Sequence, residues 1–257
     1  MSTIVTVTQP QNVWIIRPEV NINAKLRLIC FPYAGGGASL FRSWTKAFPQ
    51  NVEVCAVQLP GRENRLKETP FTHIEPLIKS LTAAILPYLD IPFAFFGYSM
   101  GSLISFELAR QLRKQYKLSP IHLFVAASRG VQLPVIHPIH HLSDYAFIQE
   151  LNRRYQAIPS IVLQNEELMQ SILPTLKADF KILETHIFQP EAAFQCPISA
   201  FGGLQDSSVS FEDISAWRDH TNNNFNLEMF LGGHFFINQS HQLLCNKIFG
   251  CFYDTLR

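Results

Sequence analysis

Ser99 sits at the centre of Gly97-Tyr98-Ser99-Met100-Gly101, with two later segments that can turn its hydroxyl into a nucleophile. A serine hydroxyl is weak at neutral pH. It attacks a carbonyl when an adjacent base takes its proton and a third group holds that base in the right tautomer. The chain supplies both partners downstream, in the order serine, acid, histidine that suits a serine on a strand–turn–helix elbow. Asp206 ends Gly202-Gly203-Leu204-Gln205-Asp206, and His234 follows Gly232-Gly233 in a turn flexible enough to aim its ring. The chemistry this spacing points to is acyl transfer through a covalent serine intermediate.

Other candidates for these roles fit less well. His122 opens a strand, His137, His140 and His141 precede a helical block, His220 ends a helix, and His241 lies in the terminal helix. His140-His141 has no third ligand at usable spacing, so no metal is expected. Asp213 lies inside a helix, where solvent exposure accounts for it; Asp144 is the next acid to consider. A reacting carbonyl also needs donors for its developing negative charge. Pro32-Tyr33-Ala34-Gly35-Gly36-Gly37 lacks the Lys-Ser/Thr ending of a phosphate loop. It reads instead as an oxyanion loop, with the backbone N–H groups of Ala34 and Met100 as the donors.

The elements that must position these residues follow from apolar runs and periodicity. Phe93-Ala94-Phe95-Phe96 is a continuous apolar run of the kind a buried parallel strand shows, and Leu103, Phe106, Leu108 and Leu112 then recur at helical spacing. The elbow leaves no room for side chains two residues either side of the serine, hence Gly97 and Gly101. Further strands are expected at 26–31, 52–58, 121–127, 197–201 and 225–231, and helices at 74–89, 211–220 and from 237 onward. Residues 1 to about 25 read as a loosely attached arm. From about 135 to 190 the strands stop and a helical block intervenes. Inserted between two strands, such a block lies over their C-terminal ends and forms a lid. The expectation is one domain over 1–257: a mostly parallel central sheet flanked by helices, with a lid insertion at approximately 135–190.

Bulk properties narrow the class. At 257 residues the chain buries roughly 70–75% of its unfolded surface. Lysine and arginine number 21 against 20 acids, so no long-range field favours nucleic acid or an anionic membrane. Neither a secretory leader nor a transmembrane span of about 20 apolar residues is expected. The five scattered cysteines, Cys30, Cys55, Cys196, Cys245 and Cys251, read as reduced thiols of a cytoplasmic protein.

With those residues assembled, the chain resembles the type II thioesterases of polyketide and nonribosomal peptide synthetase systems. The resemblance is carried by FPYAGGGAS, VQLPGREN, GYSMG, LPTLKADFKILE, FGGLQD, AWRDHT and GGHFF. It departs at Tyr98, where that family often has histidine, and Tyr98 is expected to tune packing or the elbow. The resemblance implies the α/β-hydrolase fold and hydrolysis of acyl or aminoacyl thioesters from the phosphopantetheine arm of carrier proteins, for editing or product release. It implies no cofactor of the enzyme's own and acyl or peptidyl carrier domains as partners; a monomer is expected. A medium-chain acyl-carrier-protein hydrolase of fatty-acid synthesis and a small-molecule esterase are the alternatives. Carrier proteins are generally acidic, so Arg62, Arg65 and Lys67, in a polar run expected on the surface, and Arg153 and Arg154 are the docking candidates.

Overall fold

The computed structural model describes residues 13–156, 158, 163–252 and 256. Among these residues seven strands form one sheet: β1 Ile15–Ile16, β2 Leu26–Phe31, β3 Val52–Val57, β4 Phe93–Tyr98, β5 Leu123–Ala126, β6 Ile198–Gly203 and β7 Phe225–Phe230. Their order is β1-β3-β2-β4-β5-β6-β7. Only β1 runs antiparallel; every other neighbouring pair is parallel. The order reverses between β2 and β4, since β3 returns on one side of β2 and β4 on the other. In a parallel sheet the crevice at such a reversal, beyond the strands' C-terminal ends, is where ligands bind.

Period-two alternation sorts β4 onto two faces. Phe93 and Phe95 join a core with helices α1 (Ile74–Ile85) and α2 (Met100–Tyr116). Ala94, Phe96 and Tyr98 join a second core with Phe41 and Trp44 of a 3-10 helix at Ala38–Lys46 and with Leu244 and Ile248 of the last helix. Between β5 and β6 lie α3 (Asp144–Tyr155) and α4 (Glu166–Thr185), which pack Phe147 and Leu151 against Leu173, Leu176 and Phe180 in a third core. The short α5 (Phe211–Ser215) precedes β7, and α6 (Ile237–Gly250) follows it. Among the described residues no helix is long and apolar enough to cross a membrane.

The structure corrects several expectations. The N-terminal arm is attached from Trp14 onward: Ile15 and Ile16 pair with Val57 and Ala56, and the Arg65 guanidinium lies 4.2 Å from the Trp14 ring centroid. Residues 1–12 lie outside the described residues. The fifth strand stops at Ala126 because Ala127 takes φ 50° and leaves the extended conformation. The helix expected over 211–220 is α5 followed by a 3-10 turn at Ala216–His220. Asp213 is not simply solvated. Its carboxylate accepts the Ser210 N–H at 3.0 Å while Ser210 Oγ accepts the Asp213 N–H, a capping box at the start of α5.

The largest correction concerns the polar run. Arg62 and Arg65 are each only 5% exposed, because each guanidinium finds partners inside the protein. Arg62 makes a two-pronged ion pair with Asp179, at 2.7 and 2.9 Å, and Arg65 donates to the Gln58 carbonyl at 2.8 Å. Neither can serve as a docking cation. Arg154 is mostly covered and donates to the His137 carbonyl, whereas Lys67 and Arg153 remain exposed.

Candidate active site

Ser99 stands between the last residue of β4 and the first of α2, with φ 52° and ψ −113°. A serine pays for that left-handed backbone with strain, tolerated because neighbouring structure fixes the turn on both sides. A Cβ at Gly97 would run into the Gly101 carbonyl, and one at Gly101 into the Phe31 carbonyl at the end of β2. The two glycines therefore let helix, nucleophile strand and β2 approach closely enough to lift the hydroxyl above the sheet.

The structure brings Ser99 together with the other two residues. His234 Nε2 lies 3.1 Å from Ser99 Oγ, and His234 Nδ1 lies 2.8 Å from Asp206 Oδ2. His234 is 7% exposed, and the Asp206 side chain is buried. Burial alone would raise the Asp206 pKa, but the His234 interaction and two hydrogen bonds from Ser208 outweigh it and hold the carboxyl below its ordinary range. Those bonds come from the Ser208 N–H at 2.9 Å and its Oγ–H at 2.6 Å, both to Asp206 Oδ1. One carboxylate oxygen is thus pinned by Ser208, and the other faces the histidine.

Two residues assigned no such role from sequence support this arrangement. The Tyr98 hydroxyl donates to the His234 carbonyl at 2.5 Å and accepts the Ile237 N–H at 3.4 Å, so the elbow strand holds the histidine loop directly. Burial raises the phenol pKa well above its usual value, which keeps it a donor. Ser208 carried a signal: a residue two after an aspartate whose N–H returns to that carboxylate is an Asx turn. On the other side of the elbow, Phe31 pairs with Gly97, so the 32–37 loop leaves β2 beside Ser99. Neither Ala34 nor Met100 gives its N–H to a backbone acceptor among the described residues. As the first residue of α2, Met100 has no carbonyl one turn back within the helix.

A cavity of about 790 Å³ opens onto this group. Ser99, His234 and Ser208 line one side, Arg153, Arg154 and Tyr155 of α3 and Phe180, Leu183 and Glu184 of α4 another. The Tyr155 ring lies 4.8 Å from the imidazole of His234, centroid to centroid. His140, in a pair considered for metal binding, is engaged with Glu184 at 2.7 Å. The arrangement suits attack by Ser99 on a carbonyl entering from the cavity, with Asp206 and His234 behind it.

Comparison with known proteins follows the same line. The family described as thioesterase domain matches residues 26–250. Gramicidin S biosynthesis protein GrsT of Aneurinibacillus migulanus is 45% identical over 242 residues, 92% of this chain and 94% of that one. Among solved structures, the thioesterase RedJ from the prodiginine pathway of Streptomyces coelicolor has a TM-score of 0.81 at 36% identity, covering 88% of this chain and 85% of its own. The type II thioesterase BorB from the borrelidin biosynthetic cluster has a TM-score of 0.82 at 31% identity, covering 95% and 98%.

Proposed function

The chain belongs to the thioesterase domain family, and from that premise we propose that it hydrolyses carrier-bound thioesters with Ser99 as nucleophile, His234 as base and Asp206 as the orienting acid. It is a hydrolase acting on thioesters, of the type II class that accompanies polyketide and nonribosomal peptide synthesis. Ser99 Oγ attacks the thioester carbonyl as His234 Nε2 takes its proton, and Asp206 stabilises the imidazolium that results. The N–H groups of Ala34 and Met100 hold the tetrahedral oxyanion. Collapse breaks the carbon–sulfur bond and expels a thiolate, which takes the proton from His234. Water then attacks the acyl-Ser99, again with His234 as base, and releases the acid.

The observation that carries this reading is the continuous Oγ–Nε2, Nδ1–Oδ2 chain on the wall of an open cavity. A cavity walled by α3 and α4 suits an acyl or aminoacyl group delivered on a long phosphopantetheine arm, with the helical pair acting as a lid. The carrier domain, an acidic partner met in the cytoplasm by a monomeric enzyme, would be steered by local cations such as Lys67 and Arg153. The test follows release of the free acid from acyl-loaded carrier protein beside a medium-chain acyl thioester and the matching oxygen ester. Faster turnover of the carrier thioester, abolished by Ser99→Ala with a loss on the order of 10⁶ in kcat, is the expected result. Preference for the oxygen ester, or Ser99→Ala within tenfold of the unaltered enzyme, overturns it.

A further inference from the structure

Three of the segments that carry the family resemblance play no part in the triad, yet they meet at one buried ion pair. Asp179, from LPTLKADF on α4, is 1% exposed and holds Arg62, from VQLPGREN. The same Asp179 Oδ2 that takes Arg62 Nη1 at 2.7 Å also accepts the Gly35 N–H of FPYAGGG at 2.7 Å. Arg62 Nη1 reaches the Gly36 carbonyl at 3.3 Å, and Thr175, one turn before Asp179, donates to the Gly61 carbonyl at 2.6 Å. Gly35 has φ 77°, and a Cβ there would come within 2.6 Å of Leu176 Cδ2 on the same helix. The loop is therefore bound to α4 by hydrogen bond, charge and shape at the residue after Ala34.

We propose that Asp179 and Arg62 are positioning residues for the oxyanion loop, acting through the Ala34–Gly35 peptide. The Gly35 N–H belongs to the same rigid peptide plane as the Ala34 carbonyl. Fixing it on Asp179 restrains ψ of Ala34, while the Tyr33–Ala34 plane that carries the Ala34 N–H is held by the Gly36 N–H on the Tyr33 carbonyl at 2.9 Å, so the two anchors together set the direction of that N–H. A buried arginine–carboxylate pair is a costly way to secure packing alone, since apolar side chains of similar volume commonly do as well. What apolar side chains cannot do is accept the Gly35 N–H. On this side the helical pair is an anchored support for the transition state, not a free flap. The inference rests on Ala34 being an oxyanion donor, as proposed above.

The decisive variant is the double substitution Arg62→Met/Asp179→Leu, which removes both charges and leaves no unpaired one buried. It is compared with the unaltered enzyme in thermal unfolding, in kcat and KM on an acyl-pantetheine thioester, and in affinity for the matching trifluoromethyl ketone, a mimic of the tetrahedral anion. The expected result is a folded protein with KM within threefold, kcat down about 100-fold, and ketone affinity down in parallel, the scale of losing one oxyanion donor. Arg62→Lys, which leaves the Asp179 carboxylate on Gly35, should retain most of kcat. A folded double variant with unaltered kcat and ketone affinity overturns the proposal. If the double variant does not fold, Asp179→Ala, which has no acceptor for the Gly35 N–H, decides, read at a temperature where circular dichroism shows it folded. A fall in ketone affinity and kcat with KM held supports the proposal, and unchanged ketone affinity overturns it. Turnover by the unaltered enzyme tests the functional reading separately: its absence sinks that reading, whereas normal turnover beside an unaffected variant sinks only this one.

Discussion

Asp206→Asn is the most informative single change, because Ser208 dictates how the new amide must lie. Ser208 presents two donors, its N–H and its Oγ–H, to Asp206 Oδ1. An asparagine satisfies the Ser208 N–H only by keeping its oxygen there, which turns its NH₂ toward His234 Nδ1. That nitrogen must then accept, so the proton sits on Nε2, facing Ser99 Oγ, and the base is lost. Flipping the amide would set NH₂ against the Ser208 N–H and forfeit that hydrogen bond, worth about 1 kcal/mol, the Ser208 hydroxyl turning to accept instead. The charge is lost as well. An imidazolium and a carboxylate about 4 Å apart at an effective dielectric of about 20 attract by about 4 kcal/mol, or roughly 10³ in rate. Together these give an expected fall in kcat of about 10³ to 10⁴, with KM and the unfolding midpoint little changed. Steady-state hydrolysis of an acyl-pantetheine thioester from pH 6 to 9 is the assay. Activity within tenfold of the unaltered enzyme would refute the assignment, and Asp144 would be the next acid to test. Asp213→Asn is the control. It loosens the cap of α5 for about 1 kcal/mol of stability and should leave kcat within tenfold.

Three further outcomes follow from contacts around the site. Gly101→Ala pushes a methyl into the Phe31 carbonyl, where no flexible side chain can yield, so the variant should fail to give folded protein by circular dichroism; a native unfolding midpoint would contradict the packing described here. Tyr98→Phe strands the buried His234 carbonyl and should cost about 1–3 kcal/mol in chemical denaturation, with kcat falling as the histidine loop loses its tether; unchanged stability and kcat would show the bond to be idle. Burial lowers the pKa of His122 and of His220 from 6.5 to about 4, so the unfolded chain binds their protons first, and each subtracts up to about 3 kcal/mol of stability as pH falls from about 6.5 to 4. Urea midpoints should therefore decline already between pH 6.5 and 5, and His122→Gln should flatten that decline; an unchanged slope would place the loss elsewhere.

How much of this was legible in the sequence depends on how far away each residue's constraint lies. Ser99 could be read because its constraint is local: the elbow is fixed by Gly97 and Gly101 within five residues, and the apolar strand and periodic helix on either side set its context. Asp206 and His234 could be read because each lies on the loop after a strand with its own glycine pair, so their placement needs only the order of the strands. The two residues of β1 are too few to show a period, and the bend after Ala126 comes from a non-glycine residue with positive φ, for which composition gives no sign. Arg62 was misread for a different reason. Whether a guanidinium sits in water or in the interior is decided by its partner, and Asp179 is 117 residues away.

That distance also shows where a hint was available. On α4, Leu173, Leu176 and Phe180 mark the covered stripe, and Asp179 falls beside them, where a carboxylate is rarely buried unless paired. A lone acid on an apolar stripe and a charged run next to Pro60-Gly61 each had an unremarkable explanation when read singly. Taken as halves of one pair they do not, because each supplies the partner that makes burial of the other affordable. Ser99 is held by short-range backbone geometry, whereas His234 is tied by the Tyr98 hydroxyl, 136 residues away. The residues that aim the backbone around the reacting carbonyl are held across the fold, and only the structure brings them together.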